Sequence, residues 1–307
     1  MKNALNDRPT KKARMLENPD VQRWYNNLAN DSRNTAEVAV RRLSLFCELN
    51  STDPASLLKL QKKEALNLIL DNVTRLQRKG KAGSYISGIV KSVKSWLEFN
   101  DITIEQKIKI KDANKALTLK NQEAVTPQKI DAVLASGDYR SKIECSLIGY
   151  SGLRLESLGN DNATDGILLG DLPELDLEAL KFVAIPATIV VREPISKAGH
   201  QYFSFLNQRT CNFIVSYLMY RKAELGERLR KESPLIKATG RKKQSKLVPE
   251  NMRNSDFIET RTVSDEIRRC IRKAGYRFRP YALRGYFDTQ MMLAENNGKI
   301  SDRKSVV

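Results

Sequence analysis

The sequence predicts a mainly helical protein with a small antiparallel β-sheet, an α+β fold in two domains. Three observations carry this. Apolar residues recur at three- and four-residue spacing through most of the chain, as the buried stripe of an amphipathic helix requires. β-Branched runs are confined to one stretch between residues 181 and 206. A Lys-rich stretch at 103–123, without clear helix caps, separates two blocks of helices and reads as a linker.

The first block spans 17–102, after a polar, basic segment at 1–16 that reads as a flexible arm. Asn18-Pro19 opens a helix in which Val21, Trp24, Tyr25 and Leu28 share a face. Asn34 and Glu37 have capping-box spacing before a second helix carrying Ala39, Leu43 and Phe46. Asp53-Pro54 starts a third region, lined by Ala65, Leu68, Ile69, Val73 and Leu76 and ending at Lys79-Gly80-Lys81. A fourth helix from about Ser84 presents Ile86, Ile89, Val90, Val93, Trp96 and Leu97. Four such helices with short connections make a small bundle.

The second block spans 124–307. Thr126-Pro127 caps a helix with Ile130, Val133 and Leu134, and another follows through Ile143, Leu147 and Ile148. Gly152 then breaks the periodicity beside Arg154, an arginine embedded in apolar sequence. Lys181 to Ile185, Thr188 to Val191 and Gln201 to Leu206 read as strands, and the turn Ser196-Lys197-Ala198-Gly199 puts Lys197 at a hairpin tip or strand edge. Helical patterns return at 208–225 and 262–275, flanking an exposed basic loop with Arg241, Lys242 and Lys243. The last helix opens at Pro280, with Leu283, Phe287, Met291 and Ala294 on one face. Arg284 follows a core leucine at its start. Either the stem packs while the head reaches water, or the guanidinium has an anionic partner.

Charge narrows the function. Lys plus Arg number 53 against 36 Asp plus Glu, a formal +17 spread along the chain. A folded protein this basic meets a polyanion, and nucleic acid is the commonest. No apolar run approaches a membrane span and the polar N-terminus is no signal peptide, so the sequence reads as cytoplasmic with no membrane partner. The helical block carries Arg41, Arg42, Lys62, Lys63, Arg75, Arg78, Lys79, Lys81, Lys91 and Lys94 with few acidic partners. That face is solvated or faces DNA. Cys47, Cys145, Cys211 and Cys270 are too scattered for zinc, and His200 is the one histidine, placed in a surface turn. The reading is of no metal and no cofactor. Catalysis would run on Arg, Lys, Tyr, Ser or carboxylates.

Gly152-Leu153-Arg154 after a helix, Lys197 in a hairpin, and Tyr281-Ala282-Leu283-Arg284 opening a late helix together resemble the tyrosine recombinase (phage-type integrase) family, archaeal integrase-like members in particular. The resemblance covers roughly residues 17–300 and rests on order, spacing and context rather than on any single box. It implies a helical core-binding, SAM-like domain joined to a catalytic domain, closing on double-stranded DNA as a C-shaped clamp, with homo-oligomers on the DNA. It implies strand cleavage and rejoining through a 3′-phosphotyrosyl link, without metal or nucleotide. Arg154 and Arg284 would clamp the non-bridging oxygens of the transition state, and Lys197 would protonate the leaving 5′-oxygen. Lys181 and Lys222 are alternatives for that lysine.

The sequence departs from the family in three places. Tyr281 stands where the family commonly has His; a phenol can donate a hydrogen bond to phosphate but is a poor base at neutral pH. Glu156 lies one residue earlier than the family's acidic residue and is assigned no role. After Tyr286 there is no tyrosine, so the family's third box and nucleophile would fall past residue 307, and the chain reads as truncated before its nucleophile. The alternative is a catalytically inactive DNA-binding protein derived from an integrase. A third reading, a helical nucleic-acid regulator with coincidental arginine boxes, places Arg154 and Arg284 far apart.

Overall fold

The computed structural model describes residues 10–114, 123–238 and 256–299. The chain divides into two compact units, Met1–Asn121 and Gln122–Val307. Arg241, Lys242 and Lys243 lie outside the described residues.

The first unit holds α1 (Lys11–Leu16), α2 (Pro19–Asp31), α3 (Arg33–Leu49), α4 (Pro54–Leu58), α5 (Lys62–Arg78) and α6 (Gly83–Phe99). Its core is closed by Trp24 and Trp96, which meet edge to face at 5.6 Å. Each indole N–H finds an acceptor, Ser95 Oγ and the Pro54 carbonyl, both at 3.2 Å. Three expectations change here. Residues 11–16 are a helix and not an arm, because Lys11 and Lys12 pair with Glu48 and Glu37 of α3. Ser32, not Asn34, caps α3, its hydroxyl accepting the Thr35 N–H at 3.3 Å. Asp53 caps only the short α4; α5 starts afresh where the Glu64 carboxylate accepts the Gln61 N–H at 2.9 Å. The expected linker also contributes to packing, since Ile104 is buried in this core with Ile108 and Ile110 against it.

The second unit is built around α8 (Tyr139–Ser151), whose residues from Ile143 to Ile148 are all buried, with no exposed face. A helix buried on every side, Glu144 and Ser146 included, is a central one. α7 (Pro127–Ser136), α10 (Gln208–Ala223), α11 (Thr260–Lys273) and α12 (Tyr281–Asn296) pack against it, and the short α9 (Leu155–Leu158) follows it. In place of one sheet there are two, each of two antiparallel strands. β1 (Leu175–Asp176) pairs with β2 (Lys181–Phe182), and β3 (Ala187–Val191) with β4 (Tyr202–Leu206), Ala187 opposite Leu206 and Val191 opposite Tyr202. On α12 the buried face is Ala282, Leu283 and Tyr286, while the expected Phe287, Met291 and Ala294 are only half-buried. The helix is rotated so that the Tyr286 ring meets the Tyr150 edge at 6.2 Å.

Candidate active site

The end of α8 organises the site. Gly152 has φ +67°, the left-handed conformation that ends a helix, and the Leu153 N–H closes back on the Leu147 carbonyl at 3.2 Å. A β-carbon on Gly152 would sit 2.4 Å from Phe287 of α12, so a side chain is excluded twice over. This turn delivers Arg154 to the cap of α9 and exposes the Gly152 carbonyl. Arg284 Nε donates to that carbonyl at 2.8 Å, and its Nη1 donates to the Tyr281 hydroxyl at 3.4 Å. One edge of the guanidinium is therefore fixed by the fold. A hydroxyl that accepts from Arg284 keeps its own proton to donate.

The hairpin is tied to the same turn. Ser151 Oγ donates to the Phe205 carbonyl at 2.8 Å, and Ser204 Oγ donates to the Ser151 carbonyl at 2.7 Å. Ser157 Oγ reaches the Ile195 carbonyl at 3.1 Å, anchoring the segment two residues before Lys197. Lys197 itself is exposed in the β3–β4 connection.

These ties bring four of the sequence-selected residues onto one cleft of about 390 Å³: Arg154, Lys197, Tyr281 and Arg284. Glu156 and Thr260 also line it, over a floor of Ile148, Leu153 and Leu155. Arg154, lying 130 positions before Arg284, thus faces the same space, contrary to the coincidence reading. Among the described residues no carboxylate forms an ion pair with Arg154, Lys197 or Arg284. Thr260 carried no recognisable sequence signal; its hydroxyl is already committed to the Gly159 carbonyl at 2.6 Å. The alternative lysines, Lys181 in β2 and Lys222 in α10, are not part of the cleft lining.

Tyr286 is not presented to the cleft. It is 8% exposed and packed on Tyr150, and burial pushes its phenol above the usual tyrosine range, so it keeps its proton. A second recess of about 670 Å³ is lined by Arg268, Arg272, Arg277 and Arg279 beside the stacked rings of Tyr276 and Phe278. Sequence reasoning passed over it. Its signal was the pair Arg268 and Arg272 one turn apart, followed by the alternation Tyr-Arg-Phe-Arg at 276–279.

Of the basic residues selected on the first unit, Arg41, Arg78, Lys79, Lys81 and Lys91 are exposed and Arg42 is half-buried. None of these six forms an ion pair among the described residues. Lys94 instead donates to the Gln106 carbonyl at 3.5 Å, Arg75 donates to Asn50 Oδ1 at 2.8 Å, and Lys62 pairs with Glu105 at 3.4 Å. No group of His, Cys, Asp or Glu among the described residues is arranged to hold a metal ion. No described helix is long and apolar enough to cross a membrane.

No protein-family model matches this chain, and no curated protein does. Solved structures do. A lambda integrase tetramer bound to a Holliday junction matches at 15% identity and TM-score 0.51, over 98% of this chain and 80% of that one. A lambda integrase dimer bound to a COC′ core site matches at 13% identity and TM-score 0.51, over 91% and 89%. The chain has the lambda-integrase fold. At this identity the likeness speaks for the fold alone, so the chemistry is argued from the cleft.

Proposed function

We propose that this chain is a DNA-binding protein of tyrosine recombinase type whose cleft holds a DNA phosphodiester for strand transfer. The observation that carries the reading is the convergence of Arg154, Lys197 and Arg284 on one cleft, none of them in an ion pair among the described residues although Glu156 shares the lining. Unpaired guanidiniums beside an apolar floor are costly without an anion. Two planar guanidiniums can each direct paired hydrogen bonds at the non-bridging oxygens of a phosphodiester, and those bonds strengthen as charge gathers there in the pentacovalent transition state. A tyrosine oxygen attacks phosphorus, the bond to the 5′-oxygen breaks, and Lys197 supplies the proton that the departing oxygen takes up. Tyr281 donates to the phosphate and does not act as a base.

The attacking tyrosine is not Tyr286, which is buried, and no tyrosine follows it in these 307 residues. The burial of Tyr286 also favours a second reading, an inactive DNA-binding relative that occupies recombination sites. Both readings use the same basic surfaces, and both are compatible with oligomers on DNA, the state in which the two lambda integrase structures were solved.

The shared claim is tested by titrating the 307-residue chain onto duplex DNA across a salt series. Binding should weaken steeply, with a log–log slope of several phosphate contacts. A slope near zero would remove the basis for both readings. With a nicked suicide duplex the chain should bind and form no covalent adduct. A protease-sensitive band lost on Tyr286→Phe would overturn the exclusion of that tyrosine.

A further inference from the structure

The first unit carries a groove of about 430 Å³ between α2, α3 and α6, lined by Asn34, Thr35, Arg42, Lys91 and Ser95 together with apolar side chains. No carboxylate lines it. Arg42 reaches it across α6 at Gly88. A β-carbon built on Gly88 would meet the head of Arg42 itself, Cζ at 2.5 Å, Nη2 at 2.6 Å and Nη1 at 2.9 Å. The guanidinium therefore lies against the bare backbone of α6, in space that a methyl group would fill. Glycine inside a helix is destabilising relative to alanine, so its place here calls for a local reason. Glu37, the nearby acid on α3, is engaged by Lys12 at 2.8 Å and Arg33 at 3.5 Å.

The hydroxyls in this groove differ in what they have left to give. Ser92 Oγ donates to the Gly88 carbonyl at 3.0 Å, so its proton is spent. Ser95 Oγ accepts the Trp24 indole N–H at 3.2 Å, which leaves its own proton to donate. Lys91 lies one turn after Gly88 and one before Ser95, on the same side of α6. A guanidinium, an ammonium and an oriented hydroxyl are all donors with no acid among them. That is the chemistry of a phosphate site.

We propose that this groove binds a phosphodiester of the DNA backbone through Arg42, Lys91 and Ser95. Gly88 is the positioning residue that lets the Arg42 guanidinium lie in place. The proposal rests on the DNA-binding reading above and adds to it a site and a role for a residue that cannot itself touch the ligand.

The test is Gly88→Ala in the full chain, read by thermal unfolding and by affinity for a mixed-sequence duplex. The melting temperature should hold or rise, because alanine is the better helix former and the group displaced is the end of a flexible side chain. Affinity should fall about tenfold, the weight of one charge-assisted contact, and the salt slope should shrink by about one phosphate. Arg42→Ala should give the same loss, and adding Gly88→Ala to it should change nothing further. Wild-type affinity in Gly88→Ala, additive losses in the double variant, or a lowered melting temperature would each overturn the assignment. A wild-type chain that binds no duplex would instead overturn the DNA reading, and this site with it.

Discussion

Arg221 and Arg284 both sit in apolar helical sequence, and the fold treats them in opposite ways. Arg221, in α10, is 0% exposed. Its Nε and Nη2 donate to Glu227 at 3.0 and 2.6 Å, and its Nη1 to the carbonyls of Pro234 and Leu235 at 2.8 and 3.1 Å. All three guanidinium nitrogens are used inside the protein. Arg192 is similarly committed, to Asp165, Asp171 and the Gly166 carbonyl. Arg284 has one bond to a backbone carbonyl and a long one to a phenol, and among the described residues meets no carboxylate in an ion pair. A basic side chain whose hydrogen bonds end within the fold serves the fold. One that is anchored on a single edge leaves its other edge open, as the proposed phosphate clamp requires.

The contrast is broken first by removing Arg221. Arg221→Met should lower unfolding stability by about 3 kcal/mol, since it leaves two buried carbonyls unpaired and Glu227 with only Lys237 at 3.5 Å. Urea denaturation measures this; a loss near zero would make Arg221 no more structural than Arg284. Arg284→Met should cost only about 1 kcal/mol, because one net hydrogen bond, to the Gly152 carbonyl, is lost. A loss as large as that of Arg221 would make Arg284 a folding residue and undercut the clamp.

Glu144 sharpens the comparison from the acidic side. It is 0% exposed, and among the described residues no donor reaches either carboxylate oxygen. Arg140 Nε lies 3.9 Å away, but that guanidinium is claimed by Glu266 at 2.9 Å. Burial first, and the charge of Glu266 second, push the Glu144 carboxyl well above its ordinary value of 4.5. The folded state therefore keeps a proton that the unfolded chain releases, and wild-type stability falls as pH rises from about 4.5 toward the raised native pKa. Glu144→Gln removes that titration. Its stability relative to wild type should improve as pH rises to neutral and level out below about 4.5, where the unfolded chain is protonated as well. Urea melts of both proteins at acid and neutral pH check this; the same difference at both would contradict it.

Much of the candidate cleft was legible in the sequence because its parts are written in local terms. Gly152 beside Arg154, Lys197 in a turn between β-branched runs, and Tyr281-Ala-Leu-Arg284 at a helix start each announce a residue type in a local context. Their meeting depends on long-range bonds that leave no pattern. The Gly152 carbonyl that holds Arg284 and the Ser151–Phe205 tie join residues far apart in the chain. Arg221 could not be told from Arg284 in advance, because its partner Glu227 comes from a loop with no periodicity. Caps were misplaced where neighbouring polar residues competed, as Ser32 did with Asn34. The face of α12 was misjudged because Tyr286 is amphipathic and can sit either way.

The central claim is that Arg154 and Arg284 act together on one phosphate. Orthovanadate, which takes the trigonal-bipyramidal geometry of phosphoryl transfer when joined to the two hydroxyls of a nick, probes that directly. Wild-type protein should bind a nicked duplex at least about tenfold more tightly with vanadate than without, since a site built for the transition state favours its analogue. Arg154→Ala and Arg284→Ala should each lose that gain while keeping most of their affinity for intact duplex. If both variants retain the vanadate gain, or the wild type never has it, the cleft is not a phosphate clamp.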